Sequence, residues 1–347
     1  MTSNSLPCDG NPTGNHRATG TGVAACICGR IDVHAHFLPD LYVAALAKAG
    51  LKTLDGGMPV PSWNAQAAIE VMDRQQISTA MVSLTSPGTH FVPPNERERL
   101  VREVNEAGAN LVRSHPGRFG YFASLPMPDI DASLAAIRHA FDVLGADGII
   151  LETNIDRQYL GAAAFAPIFA ELNRRKAVLF LHPTTPACFE AVALGRPAPV
   201  LEYPLDTTRT VVDLLFSRTL QSHPDIKVIV PHGGAALPAM IARIAMFSNM
   251  PSISPRPDSE QEVFETLERL YYDVALSAHP IALAGLRRIA PITQILFGSD
   301  WPFTPEFAVA LNNQRLEQSG LSASDLRAIA RENAERVFPR LVNAQNR

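Results

Sequence analysis

The chain has 347 residues, 46% hydrophobic and only 18% charged, a composition that supports a sizeable core and excludes an intrinsically disordered protein. Its 30 basic and 34 acidic residues give a net charge of -4, with no basic run of the kind that binds nucleic acid or anionic lipid. The longest apolar runs are strand-sized, far short of the roughly 20 residues that a membrane helix needs. We therefore expect a small-molecule substrate, with no nucleic-acid or membrane partner.

Residues 1–29 are rich in Gly, Thr, Asn and Ser and contain no apolar stretch before Val23, which predicts a flexible N-terminal extension rather than a secretory signal. The chain has four cysteines, too few for a disulfide framework at this length: Cys8, Cys26, Cys28 and Cys188. The Cys26-Ile27-Cys28 segment has no second Cys pair to complete a zinc site, so free thiols are favoured. A cytoplasmic protein is expected.

Short apolar stretches alternate with amphipathic ones along the rest of the chain and predict eight strands, each followed by a helix. The first strand begins at Ile31 and is closed by Pro39, and the others cover residues 79–84, 119–125, 147–152, 177–182, 227–232, 271–275 and 295–297. Helices are predicted at 41–49, 63–75, 95–115, 130–144, 161–175, 207–222, 238–247, 259–270 and 280–290, with two more at the end. Ser62 is the expected cap of the second helix, and residues 51–62 are predicted to form a loop over the site.

This alternation predicts a parallel sheet, and eight units predict a closed (β/α)8 barrel, the α/β fold known as the TIM barrel. The barrel is expected to occupy residues 30–339 as one domain, followed by a C-terminal tail over 340–347.

Chemistry in such barrels lies at the C-terminal ends of the strands. His34 and His36 end the first strand and, being two residues apart, project from the same face. The fifth strand ends in His182, the sixth leads into His232, and the eighth leads into Asp300. Each residue alone also fits a structural role, as a core histidine or a helix-capping aspartate. Their joint placement at strand ends predicts a metal site.

The motifs His34-x-His36, His182-Pro183, His232-Gly233-Gly234 and Gly298-Ser299-Asp300-Trp301-Pro302 resemble the amidohydrolase superfamily. Within it, the resemblance is to the aminocarboxymuconate-semialdehyde decarboxylase-like branch of metal-dependent decarboxylases. It covers about residues 30–339. Residues 153–161 and 206–210 further resemble 6-methylsalicylate decarboxylases.

The resemblance implies metal ligands at His34, His36, His182 and Asp300, with His232 as a catalytic residue beside the metal. Three neutral imidazoles and one carboxylate suit Zn²⁺, or alternatively Mn²⁺, and leave a position open for substrate. The histidine outside this set is able to act as an acid or base near neutral pH.

The fourth strand indicates how many ions to expect. Binuclear members of the superfamily bridge two ions with a carboxylated Lys from this strand, and residues 147–152 contain none. A single divalent ion is therefore favoured. Glu152 is the alternative bridging group, and its competing role is to orient a ligand or cap the following turn.

The leading functional hypothesis is non-oxidative decarboxylation of a small aromatic acid of the 2-hydroxybenzoate type. Its phenolate and carboxylate both bind the metal, an acid protonates the ring carbon, and CO₂ leaves as aromaticity returns. Asp300 is the preferred proton donor with His232 positioning or reprotonating it, and the reverse assignment stays open. So does attack of a metal-bound hydroxide on the substrate carbon.

Two other functions remain open. One is a mononuclear metal-dependent hydrolase of an amide, lactone or pyrone ring. The other is a metal-binding barrel without turnover.

Substrate contacts are predicted at three residues. Arg209 is a candidate for a bidentate pair with a carboxylate, and Trp301 and Phe303 are candidates for stacking on a ring. A salt-bridged helix start is the alternative for Arg209, and core packing is the alternative for both aromatic residues. The family resemblance also implies a homodimer.

Overall fold

The computed structural model describes residues 29–341, so the predicted N-terminal extension, apart from Gly29, lies outside the described residues, as do residues 342–347 of the predicted tail. Eight strands form one sheet in chain order, and every neighbouring pair is parallel. They are β1 (Arg30–His36), β2 (Ile77–Ser83), β3 (Phe119–Ala123), β4 (Gly148–Glu152), β5 (Val178–His182), β6 (Lys227–Val230), β7 (Tyr271–Asp273) and β8 (Ile295–Leu296).

The segment after β8 returns to β1. The backbone N–H of Val33 donates to the Phe297 carbonyl at 2.9 Å, and that of His36 donates to the Trp301 carbonyl at 2.8 Å. Ala35 and Trp301 form a parallel bridge. These contacts close the barrel and confirm the predicted (β/α)8 fold.

The helices fill the connections between strands. The α-helices are Asp40–Lys48, Ala65–Arg74, Pro94–Ser114, Ile130–His139, Ala166–Arg174, Phe189–Val192, Glu202–Phe216, Thr219–Ser222, Leu237–Met246, Glu260–Glu268, Pro280–Leu286, Glu306–Glu317, Ala323–Arg327 and Asn333–Val337. None of the described helices is long and apolar enough to cross a membrane.

Three helix starts differ from the prediction by two or more residues. The helix predicted at 161–175 begins five residues later, at Ala166. The second helix begins at Ala65 because its N-terminal cap is Asn64 rather than Ser62. The side-chain oxygen of Asn64 accepts a hydrogen bond from the Ala67 backbone N–H. The helix predicted at 207–222 begins five residues earlier, at Glu202, and is interrupted before Thr219. A small antiparallel hairpin, Asn154–Ile155 with Gln158–Tyr159, follows β4 and was not predicted.

The barrel interior is apolar. Inward side chains of the strands pack with residues from the end of the chain in one buried cluster: Ile31, Val33, Met81, Phe122, Ile150, Val178, Phe180, Ile229, Leu296, Ala334, Val337, Phe338 and Leu341. Leu341 is only 3% exposed, so the packed chain continues past the predicted end of the barrel at residue 339.

A β-bulge in β1 sets the direction of the first two histidines. Asp32 pairs with Ala80 and Ala35 with Val82, which leaves one extra residue on β1. Val33 belongs to the interior cluster, and the next residue, His34, also lies against the interior ring of Phe180, with ring centroids 4.8 Å apart. The bulge thus changes the inward phase from Ile31 and Val33 to His34 and His36.

Candidate metal centre

Four side chains converge at the C-terminal end of the barrel. His34, His36, His182 and Asp300 each offer one ligand atom, and these atoms lie within 4.8 Å of one another. The Asp300 Oδ1 atom is 3.4 Å from the His34 Nε2 atom and 3.1 Å from the His36 Nε2 atom. The structure therefore brings together the four residues predicted as ligands.

In His34, His36 and His182, the ring nitrogen Nδ1 is held by a hydrogen bond to a fixed acceptor. The Nδ1–H of His34 donates to Asp273 Oδ2 at 2.9 Å, that of His36 to the Ser83 carbonyl at 3.3 Å, and that of His182 to the Pro183 carbonyl at 2.8 Å. In the neutral form of each ring, these bonds place the proton on Nδ1 and leave Nε2 free to bind a cation. Nε2 is the atom that faces the other ligands in His34 and His36.

The donor set fits a divalent cation. The Nε2 atom of His34 is buried and has no hydrogen-bond partner among the described residues, although Asp300 lies beside it. Burial opposes a charge on this ring, yet the carboxylates of Asp273 and Asp300 outweigh burial and raise the pKa of His34 to about 10. The two carboxylates thus give the surroundings of His34 a negative potential, which favours a bound cation.

The pKa values of the other three ligands shift downwards. Burial holds the pKa of His182 well below its usual range and also lowers that of His36. Burial opposes ionisation of Asp300, but the neighbouring His34 and the hydrogen bonds from histidines hold its pKa well below its usual range. Neutral imidazoles and an ionised carboxylate are the forms that bind Zn²⁺ or Mn²⁺.

His232 lies beside the ligand set, with its ring centroid 5.0 Å from that of His34. Its Nε2 atom is 3.5 Å from Asp300 Oδ2, whereas Oδ1 of the same carboxylate faces His34 and His36. Both His232 and Asp300 have left-handed backbones, with φ of 57° and 60°. Such conformations in non-glycine residues cost energy and are typical of functional sites.

Glu152, the alternative bridging group, is not one of the converging ligands. Its Oε2 atom is 3.5 Å from His90 Nε2, and its side chain lies against Gly88. The geometry of the described residues thus provides for one ion.

A cavity of about 350 Å³ opens onto the centre. His182, His232 and Asp300 line it from the side of the centre, and most of the remaining lining residues are apolar. The other lining residues are Leu54, Asp55, Met58, Thr85, Ser86, Pro199, Tyr203, Pro204, Ala235, Leu276, Ser277, Phe303, Thr304 and Pro305. This volume suits one small ring compound.

The three predicted substrate contacts have different positions. Phe303 lines the cavity, and its ring centroid is 5.4 Å from that of His36. Arg209 is not among the lining residues; its guanidinium lies 3.7 Å from Asp206 Oδ1 on its own helix. Trp301 borders a separate small cavity behind β1, next to Trp63.

Sequence reasoning missed Asp273, at the end of β7. Its side chain is fully buried, and besides holding His34 it accepts the backbone N–H groups of His232 and Ala275 at Oδ1, at 3.0 and 2.9 Å. One carboxylate thus connects a ligand on β1 to the catalytic candidate after β6. The available signal was its position, since Asp273 also ends a barrel strand.

Comparison with known proteins agrees with this architecture. A family profile described as amidohydrolase matches residues 31–340. The 6-methylsalicylic acid decarboxylase of Aspergillus aculeatus is 37% identical over 91% of this chain and 98% of its own length. A crystal structure described as amidohydrolase II superposes with a TM-score of 0.83 at 33% identity, covering 90% of this chain and 100% of the other.

A dihydroxybenzoic acid decarboxylase from Polaromonas, solved with bound manganese and the inhibitor 2-nitroresorcinol, has the same fold, with a TM-score of 0.76 at 20% identity over 90% of this chain and 97% of its own. These matches confirm the resemblance found in the motifs. The chain belongs to the amidohydrolase family.

Proposed function

We propose that this protein is a metal-dependent decarboxylase of 2-hydroxybenzoate-type acids, of which 6-methylsalicylate is the leading candidate. The observation that carries the proposal is the Asp300–His232 pair, which faces a ring-sized cavity beside a three-histidine ligand set. The 37% identity to a 6-methylsalicylic acid decarboxylase supports the choice of substrate.

His34, His36, His182 and Asp300 would hold a single divalent ion, Zn²⁺ or alternatively Mn²⁺. Bound there, the ion supplies the positive charge that holds the substrate's carboxylate and phenolate and stabilises negative charge on the ring. The described residues that line the cavity include no Lys or Arg. An acid with one carboxylate next to its hydroxyl therefore suits the site, because a second, distant carboxylate would find no cationic partner there.

The two oxygens of Asp300 have separate surroundings, which suggests separate tasks. Oδ1 lies among the imidazoles of the ligand set, and Oδ2 faces His232. We assign proton transfer to Oδ2: it relays a proton from His232 to the ring carbon that bears the carboxylate. The carbon–carboxylate bond then breaks, its electrons restore the aromatic ring, and CO₂ leaves. His232 then regains a proton from solvent, and Asp300 is again ionised.

The apolar wall has a role in both orientation and exclusion of water. Phe303 is the substrate-contact residue that we retain, because its ring lies in the cavity wall beside the centre. Arg209 and Trp301 lie in other surroundings, where an ion pair and core packing account for them.

The test is CO₂ release by the metal-loaded protein incubated with 6-methylsalicylate, salicylate and an isomer with the hydroxyl in the para position. We expect release from the first two and none from the third, because only an ortho hydroxyl places both oxygens at one ion. A reaction run in D₂O should leave one deuterium on the carbon that lost CO₂. Absence of CO₂ from every 2-hydroxybenzoate, with hydrolysis of a lactone instead, would contradict the proposal and favour a hydrolase.

His232→Asn separates catalysis from metal binding. This variant keeps all four ligands, so it should bind one ion per chain by elemental analysis while losing at least about 100-fold in kcat. Equal activity in the variant would remove His232 from the mechanism. Elemental analysis of the purified protein also decides between zinc and manganese.

We further propose a cytoplasmic homodimer. Large apolar side chains are exposed in the connections after β5, β7 and β8, at the same end of the barrel as the cavity: Leu194, Leu276, Ile281 and Phe307, each more than half exposed. Cys188 is an exposed free thiol, which suits a reducing compartment. Analytical ultracentrifugation tests the dimer, and a single species at monomer mass would contradict it.

A further inference from the structure

The loop between the first two helices forms one wall of the cavity. Leu54, Asp55 and Met58 all line it. The loop is closed on itself by a hydrogen bond of 2.7 Å from the Leu54 backbone N–H to the Met58 carbonyl and by an antiparallel bridge between Thr53 and Pro59. The loop is therefore one structural unit, and its position sets the positions of the Leu54 and Met58 side chains.

The Asp55 carboxylate attaches this loop to the barrel. Its Oδ2 atom accepts the Ser86 hydroxyl at 2.7 Å, the Thr184 hydroxyl at 2.8 Å and the Thr185 backbone N–H at 2.7 Å. Its Oδ1 atom accepts the Thr185 hydroxyl at 2.6 Å. The hydroxyl of Tyr203 donates to the backbone carbonyl of Asp55 at 3.1 Å.

These donors come from three elements that surround the centre. Ser86 follows β2, Tyr203 belongs to the helix Glu202–Phe216, and Thr184 and Thr185 follow the metal ligand His182 by two and three residues. A hydrogen bond to a carboxylate is stronger than one between neutral groups, so four of them on one side chain offset part of the entropy cost of fixing a short loop.

The backbone at Gly56, next to Asp55, also packs closely against the barrel. Gly56 has φ of +67°, and a Cβ atom added there would meet the Ala198 Cβ atom at 2.6 Å. Only glycine lets the loop lie this close to the segment Ala198–Val200 with this backbone conformation.

We propose that Asp55 is a positioning residue that holds Leu54 and Met58 in place as the apolar wall that contacts the ring substituent of the substrate. Both carboxylate oxygens are occupied by donors, which excludes Asp55 as a free acid or base in the reaction. The contact with the ring substituent rests on the proposed function. The anchoring of the loop by Asp55 is independent of that function and is measured separately.

Hydrogen exchange and kinetics test the proposal together. In Asp55→Ala, amides of residues 51–62 and of Thr185 should exchange at least tenfold faster, while the metal content stays at the wild-type level. KM for 6-methylsalicylate should rise about fourfold more than KM for unsubstituted salicylate, which is the effect of losing one buried methyl contact.

Two further variants keep the result interpretable. Glu190→Gln removes an exposed carboxylate from the outer groove that Asp55 also borders, and it should change neither measurement. Gly56→Ala displaces the loop without changing any charge, and it should reproduce the selective rise in KM.

Unchanged exchange of residues 51–62 in a folded Asp55→Ala protein would overturn the anchoring. Faster exchange with an equal change of KM for both substrates would overturn the contact with the substituent. Absence of CO₂ release by the wild type would refute the proposed function and leave the exchange result as an independent test of the anchor.

Discussion

Replacing Asp273 with Asn changes one oxygen of a fully buried carboxylate and tests how the metal centre is held. In the wild type, Oδ2 accepts the His34 Nδ1–H, and Oδ1 accepts the backbone N–H groups of His232 and Ala275. If the Asn oxygen stays with the two amides, its NH₂ group faces His34. The imidazole must then accept at Nδ1 and carry its proton on Nε2, the atom that faces the ion.

The opposite orientation of the Asn is no better. Its oxygen then accepts the His34 Nδ1–H, but its NH₂ group faces the two backbone N–H donors of His232 and Ala275. Each buried donor left without an acceptor costs about 1–3 kcal/mol of stability. Loss of such a ligand-orienting partner weakens metal binding by about 10- to 100-fold. In free energy this is about 1.4–2.7 kcal/mol of binding.

The assay is competition for Zn²⁺ against a chromophoric chelator, with thermal unfolding measured on the same samples. Asp32→Asn is the matched control, because Asp32 is equally buried and accepts the backbone N–H of His34 and the Ser299 hydroxyl but does not contact a ligand imidazole. It should lose stability and keep its metal affinity to within about threefold. Wild-type affinity in Asp273→Asn, or an equal loss in Asp32→Asn, would refute the reasoning.

Three further outcomes are expected. Removing the ion with a chelator should abolish activity and lower Tm, and excess Zn²⁺ or Mn²⁺ should restore both, since a ligand at 1,000 times its Kd stabilises by about 4.1 kcal/mol; an unchanged Tm would argue against a bound ion. Phe303→Ala should raise KM about tenfold, whereas Phe303→Leu should stay near wild type, and equal KM in all three proteins would exclude the ring contact. Asp206→Ala should lower the free energy of unfolding by at least about 3 kcal/mol, measured by urea denaturation, because the buried carboxylate accepts from Thr153, Asn154 and Tyr159. A loss under 1 kcal/mol would contradict this.

The two segments that resemble 6-methylsalicylate decarboxylases are joined by that same Asp206. Residues 153–161 contribute Thr153, Asn154 and Tyr159, and residues 206–210 contribute their acceptor. The contact extends to the residues that hold Asp55, since Asn154 also donates to the Thr185 carbonyl.

The sequence by itself determined the barrel and brought its predicted ligands to one end. Eight alternating units have one closed parallel arrangement, and in that arrangement the ends of β1 and β5 and the segments that follow β6 and β8 must meet. Strand order therefore predicts that His34, His36, His182, His232 and Asp300 lie together, and the resemblance of their motifs supplies the expected roles. The β1 bulge did not disturb this, because it changes the phase before His34 and leaves the spacing of the two histidines intact.

Only the tertiary structure decided the supporting groups and the walls. Most hydrogen-bond partners of Asp273 and Asp55 are more than 40 residues away in the sequence, such as His34 and Thr185. No local sequence pattern predicts such pairs. The same holds for Arg209, whose direction depends on how its helix is rotated against the cavity. Strand periodicity fixes which face a side chain takes, but the relative placement of loops depends on long-range packing that emerges only when the whole barrel is assembled.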